Sequence, residues 1–301
     1  NWTMWYVLEI VKYAEAYGAD GLVASSRANV EGVFDYFGKK ENELGLLENL
    51  ESWVFVEWSA ANESTHTAGV NIPSNICYAA ALDGAGKIYG VPEWREKAEK
   101  IRAEIRRIAF DGKFFADNLI RDEEGNLVCT PYRTEVCQYY AFWFGCADRA
   151  DYPDLYEELT ERLGTARKEG YLPEVEKPNV MFGIYMRIDL LMRAGERKKV
   201  LEECLAVFGK MARRTGTLWE NNNISASCDH GFASYAARWI VWALTGYDVL
   251  TGAGPAKEGI GIDCDILIPA PSGTKLRIWV EDNRVRAFRP IAKIAARAKK
   301  A

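Results

Sequence analysis

The segment TLWENNNISASCDHG, residues 217–231, combines residue types that can do acid–base chemistry. Glu220 follows a tryptophan, and His230, one of only two histidines in the chain, lies ten residues further along, where an apolar segment begins. A carboxylate can take a proton and a protonated carboxyl group can give one, and a histidine titrates near neutral pH, so both residue types suit general acid–base catalysis. The segment is too polar to be core, and its role depends on the helices that position it.

Other polar segments also precede apolar stretches. They carry the following charged, aromatic or turn-forming residues: Glu57-Trp58, Arg133 with Glu135, and Pro178-Asn179. Carboxylates and flat rings that converge on one opening indicate a carbohydrate site. Cleavage of a glycosidic bond needs two carboxyl groups, one on each side of the bond. We therefore expect a site for a neutral carbohydrate; in the plainest interpretation, Arg133 and Glu135 pair with each other.

The elements around these segments alternate in character. Some are apolar or small on most faces, which is typical of buried helices: 2–18, 75–90, 134–145, 179–195 and 231–246. Others have one apolar stripe and one charged face: 92–110, 151–163 and 196–214. This alternation predicts inner helices backed by outer helices, a mainly α (α/α)6 toroid of helical hairpins. The stretch 19–56 is expected to hold a further outer helix and a long loop.

Five inner helices fall short of the six that a closed ring of hairpins needs. About three helices, inner and outer together, are therefore expected before Asn1, so that the toroid is incomplete at its N-terminus. Because each inner helix follows a polar segment, these segments should meet at one mouth of the ring. The helix N-termini there offer free N–H groups and partial positive charge. The toroid is predicted to occupy residues 1–254.

The pattern changes after Gly254. Segments 261–270 and 275–282 alternate apolar and polar residues, 285–288 continues the pairing, and APSG and EDN supply turns. Residues 255–301 are therefore predicted to form a small β appendage. Its basic tail, 291–301, has the pattern of a solvated terminal helix.

Composition excludes several classes of function. The 301 residues carry a net charge of −5 and show no basic stripe, so nucleic acid is not an expected partner. No apolar run is long enough for a membrane span. The seven cysteines are odd in number and lack C-x-x-C spacing, which argues against a disulfide framework and a zinc site. We expect no cofactor, no metal and a cytoplasmic location; a periplasmic or secreted location stays open, and nothing indicates the oligomeric state.

Several motifs together resemble bacterial α-L-rhamnosidases of glycoside hydrolase family 78, in the C-terminal part of their catalytic domain. TLWE, then S-x-D-H-G before the last inner helix, resembles that family's segments, and FVEW at 55–58 resembles its F-V-D-W turn. One helix of that family resembles NWTMWYVLEIVKYAEAYGAD at 1–20. A strand of the family's C-terminal β domain resembles GIGIDCDILIP at 259–269. The order and spacing match over most of the chain.

The resemblance implies a glycosidase that inverts the configuration of terminal α-L-rhamnosides. Glu220 matches the general base. The family's general acid lies in an R-D-E-R-type segment that nothing here matches, so it is expected upstream of Asn1. The substrate-binding residues that the resemblance and the mouth together suggest are Trp58, Glu57, Trp219, His230 and Tyr185. FVEW has Glu57 where the family often has Asp, and Asp229 stands where Asn or Cys is common.

Plainer interpretations stand beside these roles. Glu220 suits a solvated loop, Glu57 and His230 suit helix caps, and Trp58, Trp219 and Tyr185 suit core positions. Two further functions also remain open: another six-hairpin glycosidase, such as an α-L-fucosidase or a disaccharide hydrolase, and a carbohydrate-binding toroid without catalytic activity. The unmatched acid segment favours the last of these.

Overall fold

The computed structural model describes residues 1–269 and 275–291. Its α-helices are α1 (Trp2–Tyr17), α2 (Gly21–Gly38), α3 (Ser64–Thr67), α4 (Ile72–Tyr89), α5 (Pro92–Ile108), α6 (Glu135–Trp143), α7 (Pro153–Glu157), α8 (Tyr185–Arg193), α9 (Arg197–Thr215) and α10 (Ala236–Thr245). Its strands are β1 (Val70–Asn71), β2 (Asn118–Arg121), β3 (Leu127–Cys129), β4 (Arg133–Thr134), β5 (Val175–Glu176), β6 (Cys264–Pro269), β7 (Lys275–Glu281) and β8 (Arg284–Ile291). The chain is mainly α-helical, as the sequence predicts.

The chain divides into two compact units. Unit 1 consists of Asn1–Leu190 together with Glu220–Ala226, and unit 2 consists of Leu191–Trp219 together with Ser227–Ala301. The predicted boundary after residue 254 is not one of these dividing points, and it stays a prediction.

Helix α4 is the centre of unit 1. It packs against α1, α2, α5 and α6, and it is buried on nearly every face because its side chains are small or apolar. A Cβ atom on Gly84 would meet the Val11 side chain at 2.9 Å, so a glycine there allows α1 to approach closely. Helix α5, by contrast, buries only Ala98, Ile101 and Ile105 and exposes its charged face. The predicted pairing of an inner with an outer helix is confirmed for α4 and α5.

Polar side chains determine where the inner helices begin. The side chain of Asn71 accepts a hydrogen bond from the N–H of Ser74 at the start of α4, and Thr134 does the same for Cys137 at the start of α6. Such N-caps satisfy N–H groups that have no partner within the helix.

The structure departs from the predicted pattern in four places. Helices α1 and α10 each bury only one face, although their apolar content predicts burial nearly all round. In place of the expected outer helix 151–163, the structure has the short α7 followed by one π-helical turn at Glu158–Arg162. The antiparallel pair β2–β3 was not predicted, because its strands are shorter than the runs that alternation detects.

Unit 2 contains α9, α10 and an antiparallel sheet in the order β6-β7-β8. The predicted β segments are confirmed. Asp282 and Asn283, in the predicted EDN turn, both have positive φ angles, the backbone that a tight β-hairpin turn requires. Tyr247, just after α10, shares an apolar cluster with Ile278 of β7. The predicted terminal helix at 291–301 lies outside the described residues, apart from Ile291 at the end of β8.

Candidate functional site

The FVEW turn places a carboxyl group deep inside unit 1. Glu57 is fully buried, and its Oε1 accepts hydrogen bonds from the backbone N–H groups of Asn179 and Gly183, each at 2.9 Å. Its Oε2 is buried and has no hydrogen-bond partner among the described residues. Burial raises the pKa of Glu57 to about 8, against the opposing effects of the Ser59 side chain and of the two N–H groups. The carboxyl group therefore keeps its proton at neutral pH.

The segment before α8 is built around this carboxyl group. Met181 and Phe182 leave the helical backbone conformation, and Phe182 has φ 64°, which is unfavourable for a residue with a side chain. A Cβ atom on Gly183 would lie 2.4 Å from Oε1 of Glu57, so only glycine allows this approach. The first turn of the predicted inner helix 179–195 therefore packs closely against the Glu57 carboxyl group.

Asn179 connects three separate parts of unit 1. Its backbone N–H donates to Glu57, and its side-chain Nδ2 donates to the carbonyl oxygen of Trp58 at 2.6 Å. Its Oδ1 accepts from the N–H of Val180 at 2.7 Å and from the N–H of Asn222 at 2.8 Å. Asn222 lies two residues after Glu220. The sequence indicates Asn179 only as the start of a helix, because the partners of its side chain lie in segments far away along the chain.

A cavity of about 410 Å³ lies beside the FVEW turn, and its lining includes Trp58, Tyr171, Lys168, Lys177, Glu176 and Asn179. Its rings, charges and amide give it the mixture of flat apolar surface and polar groups that sugars require. The indole Nε1 of Trp58 is buried and has no hydrogen-bond partner among the described residues. Trp58 thus lines this cavity, and its substrate-binding role stays a prediction.

Further aromatic rings extend from Trp58. The Phe55 and Trp58 rings are 4.8 Å apart between centroids, and the Trp53 and Trp58 rings are 5.7 Å apart. Phe55 is buried, whereas Trp53 is 52% exposed. The cavity is therefore bordered by an aromatic surface that is partly open to solvent.

The opening segment of the sequence forms a loop that is closed at its base in unit 2. There the Thr217 hydroxyl donates to the carbonyl oxygen of Cys228, and the N–H of His230 donates to the carbonyl oxygen of Leu218 at 2.9 Å. The tip, 220–226, belongs to unit 1. Glu220 is half-buried and is not part of the cavity lining; the Asn222–Asn179 hydrogen bond connects its segment with the cavity.

The remaining predicted substrate-binding residues differ in their burial and in their hydrogen-bond partners. Trp219 is 1% exposed, and its Nε1 donates to the Thr215 hydroxyl at 2.7 Å, so it has no free face for a sugar. His230 is half-buried, with an Nδ1 that is buried and lacks a partner within the described part of unit 2. Tyr185 is half-buried on α8, and burial raises the pKa of its hydroxyl. The substrate-binding roles of His230 and Tyr185 stay predictions.

Arg133 and Glu135 do not pair with each other, and that interpretation was wrong. Arg133 pairs with Asp111 at 3.0 Å, whereas Glu135 pairs with Arg167 at 3.0 Å in a fully buried site. Glu135 also accepts hydrogen bonds from the Tyr139 hydroxyl at 2.6 Å and from the N–H of Gly164 at 2.9 Å. The two side chains part because β4 ends and α6 begins between them. Glu135 is thus a satisfied structural carboxylate.

A second buried pair was also missed. His66 and Asp117 are 5% and 1% exposed, with His66 Nε2 at 3.8 Å from Asp117 Oδ2. The Thr134 hydroxyl donates to the other carboxyl oxygen of Asp117 at 2.9 Å. Burial raises the pKa of Asp117 to about 7 and lowers the pKa of His66. No spacing in the sequence indicates a pair that forms between residues so far apart.

Within residues 1–269 and 275–291, no group of three or more His, Cys, Asp or Glu side chains is arranged to hold a metal ion. In the same part of the chain, every helix is too short or too polar to cross a bilayer.

Comparison with solved structures identifies the fold. A GH78 family rhamnosidase of Bacillus sp. GL1 superimposes with a TM-score of 0.70 and 17% sequence identity, over 93% of this chain and 30% of that one. A rhamnosidase from Klebsiella oxytoca with rhamnose bound gives a TM-score of 0.57 and 14% identity, over 80% of this chain and 46% of that one. The chain has the fold of a GH78 rhamnosidase. This confirms the predicted fold class, helical hairpins of the GH78 toroid type.

The GH78 fold is shown by structure alone. No family model matches the sequence, and no curated protein matches it. The chain spans less than half the length of either rhamnosidase.

Proposed function

We propose that this chain is part of the catalytic domain of a glycoside hydrolase that cleaves terminal α-L-rhamnosides with inversion. The observation that carries the proposal is the structural likeness to two rhamnosidases over 93% and 80% of the chain. The TLWE and FVEW motifs support it independently, because they occur in the order that the family resemblance implies.

In the proposed mechanism Glu220 is the general base. Its carboxylate takes a proton from a water molecule on the face of the anomeric carbon opposite the leaving oxygen. An inverting glycosidase keeps its two carboxyl groups about 6.5–9.5 Å apart, which leaves room for that water. The cavity beside Trp58 is proposed to receive the sugar, with the indole ring packing against C–H groups of the sugar.

The general acid is proposed to lie outside these 301 residues, since no segment matches the acid motif. Within the chain, Glu57 is the carboxyl group to test as an alternative, because it keeps its proton at neutral pH. Glu135 is not a candidate, since both its oxygens are engaged by Arg167, Tyr139 and Gly164.

Glu220→Gln tests the base directly. The amide keeps the shape of the side chain but cannot accept the proton, so kcat on α-L-rhamnosyl fluoride should fall by about 10²–10⁴-fold with KM changed much less. Fluoride leaves with little help from an acid, so this substrate reports the base alone. Exposed Glu174→Gln is the matched control and should leave kcat unchanged. A Glu220→Gln variant as active as wild type would refute the assignment.

A series of aryl α-L-rhamnosides tests where the acid lies. If the chain lacks the acid, its rate should fall steeply as the leaving phenol becomes less acidic. A shallow dependence that becomes steep in Glu57→Gln would identify Glu57 as the acid instead. Turnover of aryl α-L-fucosides, without turnover of any rhamnoside, would point to the other six-hairpin glycosidases. Sugar binding without turnover of the fluoride would indicate a binding module.

A further inference from the structure

The hydrogen bonds around Asn179 form a continuous chain from a buried carboxyl group to the loop that carries Glu220. Glu57 Oε1 accepts a hydrogen bond from the backbone N–H of Asn179, and Asn179 Oδ1 accepts one from the backbone N–H of Asn222. Asn222 is exposed, and the loop around it is rich in Asn and Ser. Such a segment has little apolar surface to bury, so its position depends on specific polar contacts.

Glu57 also fixes the backbone on which Asn179 lies. Its one oxygen accepts the N–H groups of Asn179 and Gly183, four residues apart, and so spans the irregular turn between them. Phe182 adopts its unfavourable positive φ inside this turn. A strained backbone persists only where its surroundings hold it in place, and the Glu57 carboxyl group accepts hydrogen bonds from the backbone on both sides of Phe182.

The same junction reaches the cavity. Asn179 lines it and donates to the carbonyl oxygen of Trp58, whose indole also lines it. One asparagine side chain therefore binds the wall of the cavity with its nitrogen and the Glu220 loop with its oxygen. A change at Asn179 should move the loop relative to the cavity wall within unit 1.

We propose that Glu57 and Asn179 are positioning residues, which hold the 220–226 loop so that Glu220 lies in a fixed place relative to the cavity beside Trp58. The catalytic meaning of this placement rests on the proposed function. A base displaced by about 1 Å can cost about 10²-fold in rate, so residues that only hold the base in place can still control the rate.

Hydrogen–deuterium exchange of the full chain tests the placement without any substrate. Asn179→Ala removes the Oδ1 that accepts from the N–H of Asn222, and it should raise amide exchange in peptides covering 220–226 by at least tenfold. Asn179→Asp keeps the oxygen acceptor but loses the donor to Trp58, so it should raise exchange less. Glu57→Gln keeps Oε1 and should leave the loop protected, whereas Glu57→Ala should release it. Asn126→Ala, which removes only a contact with Asp122 in the β2–β3 turn, is the matched control.

Kinetics on α-L-rhamnosyl fluoride test what the placement does. Asn179→Ala should lower kcat by about 10–100-fold with a smaller change in KM, and Asn126→Ala should not. If Asn179 acts through Glu220, the double variant Asn179→Ala/Glu220→Gln should be little slower than Glu220→Gln alone, because effects of residues that act as a unit do not add.

The exchange measurements and the kinetic measurements distinguish the positioning role from the proposed function. Unchanged exchange of 220–226 in a folded Asn179→Ala protein would overturn the positioning role, whatever its activity. Full additivity in the double variant would also overturn it. A wild-type chain that does not turn over the fluoride would overturn the proposed function, while the exchange measurements still decide whether Glu57 and Asn179 hold the loop.

Discussion

Replacing Glu57 by glutamine should change how the stability of the protein depends on pH. The native state raises the pKa of this carboxyl group from 4.5 to about 8, because the group is buried. Below pH 4.5 both the folded and the unfolded chain hold the proton. Between pH 4.5 and 8 the unfolded chain releases it and the folded chain does not, so wild-type stability falls as pH rises through this window.

The magnitude follows from the size of the pKa change. One unit of pKa difference corresponds to about 1.4 kcal/mol, so the loss across the whole window is on the order of 4–5 kcal/mol. Glutamine cannot titrate, and the variant therefore lacks this loss. It has a constant penalty instead, about 1–3 kcal/mol, because its new NH₂ group is buried where Oε2 has no partner. The variant should be less stable than wild type at pH 4.5 and more stable at pH 8.

Urea denaturation at a series of pH values measures this, with tryptophan fluorescence and far-ultraviolet circular dichroism as two probes. The raised pKa of Asp117 affects both proteins equally and cancels in the difference between them. Exposed Glu174→Gln provides the control, and its curve should stay parallel to wild type. Parallel curves for Glu57→Gln as well would refute the claim that Glu57 is buried and protonated.

Two further stability predictions concern the same unit. Gly183→Ala should destabilise the protein by about 1–3 kcal/mol, since its Cβ would lie 2.4 Å from the Glu57 carboxyl oxygen. Its control is Gly32→Ala, at an exposed position in the middle of α2 where a Cβ would have nothing within 4 Å; this variant should stabilise the protein by about 0.5–1 kcal/mol. Arg167→Met should cost about 3–5 kcal/mol in urea denaturation, because it leaves the Glu135 carboxylate buried without its cation. Adding Glu135→Gln should recover part of that loss; no recovery would mean that the ion pair is not the cause.

The sequence alone was enough to predict where most of the helices lie, and which helix of the α4–α5 pair is buried. In α4 and α5 the reason is local: small and apolar side chains on all faces mark one helix as inner, and a single apolar stripe marks the other as outer. The C-terminal strands and their EDN turn were equally readable, because alternation and turn residues lie within a few positions of each other. The motifs at 55–58 and 217–231 indicated the family fold through their order along the chain.

The environment of each charged or aromatic side chain was decided by the tertiary structure. FVEW does not reveal that Glu57 is buried, since its partners lie 122 and 126 residues away. Glu135 found its cation in Arg167 rather than in its neighbour Arg133 for the same reason. Trp219, one residue before Glu220, is buried and belongs to unit 2, whereas Glu220 belongs to unit 1. Burial and hydrogen bonding depend on contacts between distant segments, which local residue patterns do not specify.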